Sequence, residues 1–401
     1  MGAKANERYE IPWGGGMQPL IRQQLESFLR NKRRTLLGVG PMSLNCVDAA
    51  IELANEYNIP IPLIASRRQV DAAEFGGGYV NGWTTGNFAR YVKTHDTKGN
   101  ILLARDHGGP WQNDKEKEQK LSIEQAMQSA KASYLADLEA GFDALHIDPS
   151  VDIHGHPDVD TVLGRVFELY GYCWEQAQHL GRDVIFEIGT EEQSGNLNSP
   201  EELHYTLDAL QSFCSKSRMP MPAFVVIQCG TRVMETRNIG AFGMESCAGK
   251  LPEMIEICNR YGVFAKEHNT DYLSDEALQS HPALGIHAAN VAPEFGVTET
   301  RALISVLEEH GLDKLAEQFM ALSYASNRWR KWMVEGSQAT DRERAIIAGH
   351  YVFSMPECVA LKQEAAKALQ AKNIALEPYL KAQVKHNILR YLRHFNLVGA
   401  V

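Results

Sequence analysis

The sequence predicts an α/β fold: a (β/α)8 TIM barrel followed by a C-terminal helical appendix. Three observations carry this expectation. Eight short apolar runs recur along the chain, each followed by a helical pattern, at intervals of roughly 25–45 residues. No Gly-x-Gly-x-x-Gly follows the first run, as a dinucleotide-binding open sheet would require. The strand beat stops near Asn327, and only helical periodicity continues beyond it. The expected divisions are an N-terminal arm and helix over 1–34, the barrel over 35–326 and a helical extension over 327–401.

Residues 1–34 are polar, with three consecutive glycines at 14–16 and a basic run from Arg30 to Arg34. An amphipathic helix is expected over about 19–31. The first strand, 35–41, leads into a helix over 43–57 that Ser43 can cap. Strands at 61–66, 101–107, 144–150, 184–190 and 223–230 follow, with helices at 84–94, 122–140, 160–180, 200–215 and 251–261. The seventh and eighth strands are expected at 263–271 and 285–290, with the eighth helix starting near 298. Helices at about 341–350, 357–372 and 379–393 make up the extension, expected to be structural and to pack on the barrel or between subunits.

The chain has 401 residues, 44% hydrophobic and 22% charged, enough for a sizeable core. A formal charge of −10 disfavours nucleic acid or an anionic membrane as partner. No run is apolar enough to span a bilayer. The seven cysteines are scattered, without Cys-x-x-Cys, which suits a reducing cytoplasm. The cluster at Trp329, Arg330, Lys331 and Trp332 mixes base and aromatic, but in so acidic a chain it is expected to be an interface or amphipathic surface.

In such a barrel the C-terminal strand ends converge on one mouth, where the chemistry sits. Nearly every run here ends in ionisable or amide groups. The second gives Arg67 and Arg68, the third Asp106 and His107, and the fourth His146 and Asp148, two apart and so on one side of the strand. The fifth gives Glu187 and Glu191, the sixth Gln228, the seventh Glu267 and His268, and the eighth Asn290. His107 and His268, with Gln228 as a weaker oxygen ligand, are the candidates to hold a divalent metal, zinc foremost. Asp106 is the candidate proton carrier, with Glu187 and Glu191 as further catalytic carboxylates. Arg67 and Arg68 are expected to hold an anionic substrate group, and His146, Asp148, Glu267 and Asn290 its remaining polar atoms.

Gln69 with the Phe75-Gly-Gly-Gly-Tyr79 loop, the Asp106-His107-Gly-Gly-Pro110 turn, Leu145-His-Ile-Asp148, Ile188-Gly-Thr-Glu191, Gln228-x-Gly230 and Glu267-His-x-Thr-Asp-Tyr272 occur in that order. Together they resemble the non-catalytic subunit family of D-tagatose-1,6-bisphosphate aldolase, related to the class II, zinc-dependent ketose-bisphosphate aldolases. The resemblance implies that Asp106 is the proton carrier and that His107 and His268 are zinc ligands. The strand-six histidine of class II aldolases is replaced here by Gln228-Cys229, and the glycine-serine phosphate loop by Asn269-Thr-Asp271. The expected function is a metal-dependent lyase or epimerase acting on a phosphorylated or acidic ketose by (retro-)aldol chemistry. The alternative is a non-catalytic subunit that stabilises a separate aldolase. A sugar phosphate or sugar acid is the expected small-molecule partner, and a homo-oligomer or an aldolase partner subunit the expected assembly.

Overall fold

The computed structural model describes residues 20–30, 32–190, 199–242 and 245–399, with the side chains of 30 and 245–249 left undescribed. Eight parallel strands close into a barrel in sequence order: β1 (Leu36–Val39), β2 (Ile61–Ser66), β3 (Ile101–Gly108), β4 (Ala144–Ile147), β5 (Ile185–Ile188), β6 (Phe224–Val226), β7 (Phe264–Glu267) and β8 (Ala288–Val291). The helices that follow them are α1 (Leu44–Tyr57), α2 (Thr85–His95), α3 (Ile123–Ala140), α4 (Val159–His179), α5 (Pro200–Ser217), α6 (Glu245–Arg260), α7 (Asp275–Leu284) and α8 (Pro293–Glu309). Each expected strand is present. A two-stranded hairpin, Val233–Met234 with Arg237–Asn238, and a short helix, Asp114–Glu118, were not foreseen. α8 begins five residues before the expected 298, because the proline at 293 opens it and supplies no N–H that the first turn would need.

Helix starts follow local chemistry. The Ser43 side chain accepts from Cys46 N–H at 3.0 Å, and Ser122 and Ser199 each form a reciprocal capping box with the residue three positions on.

Alternation along the strands sorts side chains by layer. Leu36, Leu102, Ala144, Ile185, Phe224, Phe264 and Ala288 fill the lower lumen, and Leu25 and Leu29 of the N-terminal helix Leu20–Arg30 pack beneath them. Arg22 of that helix is buried and donates to the carbonyls of Met221, Pro222 and Gly262, fastening the helix under β6 and β7. The next layer up turns polar, with Glu187, Lys266 and Asn290. Gly38 opposite leaves space for Asn290, since a Cβ there would lie 2.3 Å from its amide oxygen.

The C-terminal segment adds α9 (Asp313–Ala325), α10 (Asp341–Ala348), α11 (Pro356–Gln370) and α12 (Leu376–His394). α9 and α11 build a second core against α8. α12 is different. Its Val384, Ile388, Tyr391 and Leu392, with Phe395 just beyond, belong to the same core as the barrel strands. α12 thus packs on the barrel, one of the two placements expected for the extension, as a member of its outer helical layer, and its polar face pairs Lys381 and Lys385 with Glu52 of α1.

Candidate metal centre and active site

β3 presents two adjacent residues to one mouth, which a regular strand cannot do. The register between β3 and β4 shifts between Arg105 and Gly108, and His107 takes φ 45°. This bulge turns His107 toward the mouth beside Asp106. His146 of β4 and His268, one residue past β7, complete a triangle of imidazoles. Ring centroids are 5.3 Å apart for His107–His146 and 5.0 Å for both pairs with His268. One ligand atom from each lies within 4.8 Å of the others. His146 and His268 are buried, while the His107 side chain is 38% exposed and faces the cavity.

Carboxylates stand behind this triangle. Asp148 Oδ2 is 2.6 Å from His107 Nδ1 and also accepts from Gln112. Glu187 Oε1 is 2.7 Å from His268 Nε2, and its other oxygen is 2.5 Å from Lys266 Nζ. Such pairs fix the tautomer and direction of an imidazole, leaving its other nitrogen for an ion. Asp106 sits in the middle: its Oδ1 accepts from the Asn290 amide at 3.2 Å and is 3.7 Å from His146 Nδ1.

The residues fit a divalent ion. Three imidazoles are a donor set suited to zinc and its transition-metal neighbours. His146 Nε2 is buried without a hydrogen-bond partner among the described residues. A Cβ at Gly189 would lie 2.5 Å from that nitrogen, so only glycine leaves the ring its place. The charges around the triangle compensate one another. Burial opposes ionisation of Asp106 and Glu187, yet the three imidazoles hold Asp106, and Lys266 with His146 and His268 holds Glu187, well below the usual carboxylate range. Desolvation likewise disfavours protonated His107, but Asp106 and Asp148 raise it to about 9.

Other expected site residues lie elsewhere. Arg67 is fully buried, bonded to Asp71 (3.0 Å), Glu116 (2.6 Å), the Gly109 carbonyl and Ser129. That corrects its expected role: it braces the turn behind Asp106 and has no free donor in the cavity. Glu267 is also corrected. It alternates with the inward Lys266 and His268, points outward, and binds Thr270 and His281. Gln228 is buried beyond β6 and does not line the cavity. Glu191 lies outside the described residues. Arg68 and Asn290 do line the cavity, together with Asp106, His107, Asp148 and His268.

A family model described as D-tagatose-1,6-bisphosphate aldolase subunit GatZ/KbaZ-like matches residues 26–320. The chain belongs to this GatZ/KbaZ-like family. Its fold is shared with a probable tagatose 6 phosphate kinase from Sinorhizobium meliloti 1021 (21% identity, TM-score 0.71, covering 91% of this chain and 100% of that one). It is also similar to the fructuronate-tagaturonate epimerase UxaE from Cohnella laeviribosi (13% identity, TM-score 0.57, 94% and 85% covered). A fructose-bisphosphate aldolase from Campylobacter jejuni has the same fold (11% identity, TM-score 0.54, 94% of each chain covered). No helix among the described residues of this GatZ/KbaZ-like protein is long and apolar enough to cross a membrane.

The mouth holds a cavity of about 340 Å³ whose outer wall was missed in the sequence reading: Lys331, Trp332 and Tyr351 of the C-terminal segment, beyond the matched 26–320. Tyr351 packs on Tyr79 of the triple-glycine loop at 4.8 Å and on His350 at 4.0 Å between centroids. His350 is buried, with both ring nitrogens unpartnered among the described residues. Burial first, and Lys331 second, push it down to about 3. A histidine whose folded value lies below its unfolded value of about 6.5 stabilises the fold above that pH and loses the contribution as pH falls toward the folded value. In urea titrations the stability of wild type relative to His350→Phe should therefore fall by about 1.4 kcal/mol per pH unit between pH 6 and 4. A difference independent of pH would mean that the imidazole is solvated.

Proposed function

We propose that this GatZ/KbaZ-like protein is a divalent-metal-dependent enzyme, zinc being the expected ion, that cleaves or epimerises a phosphorylated or acidic ketose by (retro-)aldol chemistry. The observation that carries the reading is the imidazole triangle of His107, His146 and His268 with the Asp106 carboxylate beside it. His107, His146 and His268 would hold the ion, with Asp148 and Glu187 orienting two of them. A bound ion supplies Lewis-acid polarisation of a ketose carbonyl. Asp106 takes the proton of the hydroxyl on the carbon at the far end of the breaking bond, as that carbon becomes the aldehyde and the bonding pair passes to the carbonyl side. Re-forming the carbon–carbon bond on the opposite face of the rotated aldehyde, with Asp106 returning its proton to the new alkoxide, gives the epimer; release of the aldehyde, with the remaining enediol carbon taking up a proton, gives cleavage. Asn290 steadies Asp106 through its amide, and Arg68 at the rim suits an anionic group. That relatives of the same fold are named as an aldolase and a sugar-acid epimerase supports this pair of outcomes.

Elemental analysis of the full-length protein, with a screen of ketose phosphates and keto sugar acids for aldehyde release or epimer formation, tests the reading. About one divalent ion per chain is expected, turnover should cease in excess chelator, and His146→Ala should lose most of the ion. Turnover that persists without metal would overturn the mechanism. A protein that binds no ion and turns over no ketose would instead favour a non-catalytic subunit that stabilises a separate aldolase.

A further inference from the structure

The C-terminal segment at the cavity's rim has so far no role in the chemistry. Its Lys331 is exposed, lines the cavity and makes no ion pair with a carboxylate among the described residues. Its ammonium rests over two rings, 4.8 Å from the Trp332 centroid and 5.3 Å from that of Tyr351. Aromatic faces hold a cation in place without neutralising it. Tyr351 packs on Tyr79, whose backbone N–H donates to the Arg68 carbonyl at 3.0 Å, and the Arg68 side chain lines the same cavity. Arg68 is only partly neutralised. It bonds Asp114 through Nε at 2.7 Å, but the other oxygen of that carboxylate is taken by Arg328, also of the C-terminal segment, at 2.6 Å. Two guanidiniums thus share one negative charge, and Lys331 adds another positive charge. In a chain with net charge −10, this local excess of positive charge stands out. The cavity is bipolar: carboxylates and imidazoles at its floor, cations at its rim.

We propose that Lys331 and Arg68 together bind the anionic end of the substrate, a phosphate or carboxylate remote from the reacting carbons, with the Trp332 and Tyr351 rings positioning Lys331. The C-terminal segment is then a specificity element as well as a structural one. The proposal rests on the reading that the cavity takes an acidic or phosphorylated sugar, and names the residues that select for that charge. Placement fixes the ligand's direction: the anion is held by the unneutralised charge of Lys331 and Arg68, while the reacting carbons reach Asp106 and the imidazoles, whose charges are already paired with one another.

Calorimetric titration of the full-length protein with fructose 6-phosphate, galacturonate and neutral fructose decides it, with no turnover needed. Lys331→Met, which keeps the apolar stem over the rings, should weaken binding of the anionic sugar about tenfold and leave fructose unchanged. Lys331→Arg should restore most of the loss. Whichever anion responds identifies phosphate or carboxylate as the group held. Equal binding of both anions by wild type and Lys331→Met, or an equal loss for fructose, would overturn the proposal. So would anions that bind wild type no better than fructose does. Binding that depends on Lys331 in a protein without turnover would refute the catalytic reading and leave this one standing. Turnover indifferent to Lys331 would do the reverse.

Discussion

Asp106→Asn is expected to retain the bound ion and to lose turnover about 10²-fold or more, the loss typical of a general base. The carboxylate lies among three imidazoles, with one oxygen 3.9 Å from His107 Nε2 and the other 3.7 Å from His146 Nδ1 and 4.0 Å from His268 Nδ1. Those contacts keep it ionised, so an acceptor is present whenever substrate arrives. Asparagine has the same shape and leaves all three imidazoles and their supporting Asp148 and Glu187 in place. It cannot take a proton from a hydroxyl. Metal content and kcat, measured on the same preparation, separate this role from ligation: a ligand variant loses both, and Asp106→Asn loses only kcat. Full activity of Asp106→Asn on a substrate of the wild type would show that some other group moves the proton.

The barrel was legible because each strand is a short apolar run closed by turn residues, and the closed eight-stranded order follows from that beat. The site was legible as a set of strand ends and less so as roles. That Asp106 and His107 both face the mouth depends on a bulge opposite β4, and the sequence of β3 alone carries no sign of it. His146 was read as a substrate contact. Its place in the imidazole triangle depends on the clearance at Gly189, one residue past the neighbouring β5. Arg67 was misread because one of its partners, Glu116, lies 49 residues away on a helix too short to show periodicity. Glu267 was avoidable: if Lys266 and His268 face inward, period-two alternation sends Glu267 out to His281. Lys331 and Trp332 were seen as a cluster, and only the folded position of the C-terminal segment brings them over the cavity.

The second large effect concerns that segment's last helix. Ending the chain after Asn373, before α12, is expected to abolish soluble, cooperatively folding protein. Val384, Ile388, Tyr391, Leu392 and Phe395 are buried in the barrel's own core. Burying a large apolar side chain is worth about 1.5–3 kcal/mol, and a domain's whole stability is about 5–15 kcal/mol. Losing five such side chains therefore removes an amount comparable to the total. Polar anchors go with them. Phe395 carbonyl accepts from Thr35 N–H at the entrance to β1, and Arg390 bonds Asp275 and the Leu273 carbonyl at the start of α7. The Tyr391 hydroxyl donates to Glu294 at 2.5 Å. Glu294 and the cavity-lining Asp271 form a buried pair of carboxylates, and burial together with Glu294 raises Asp271 to about 8. Without α12, Glu294 loses its tyrosine partner and the loop beyond β7 loses its backing. Soluble yield and a thermal melt followed by circular dichroism measure the outcome. A truncated chain that melts cooperatively with unchanged oligomeric mass would show that the eight strands and their first eight helices suffice, and that α12 only covers a surface.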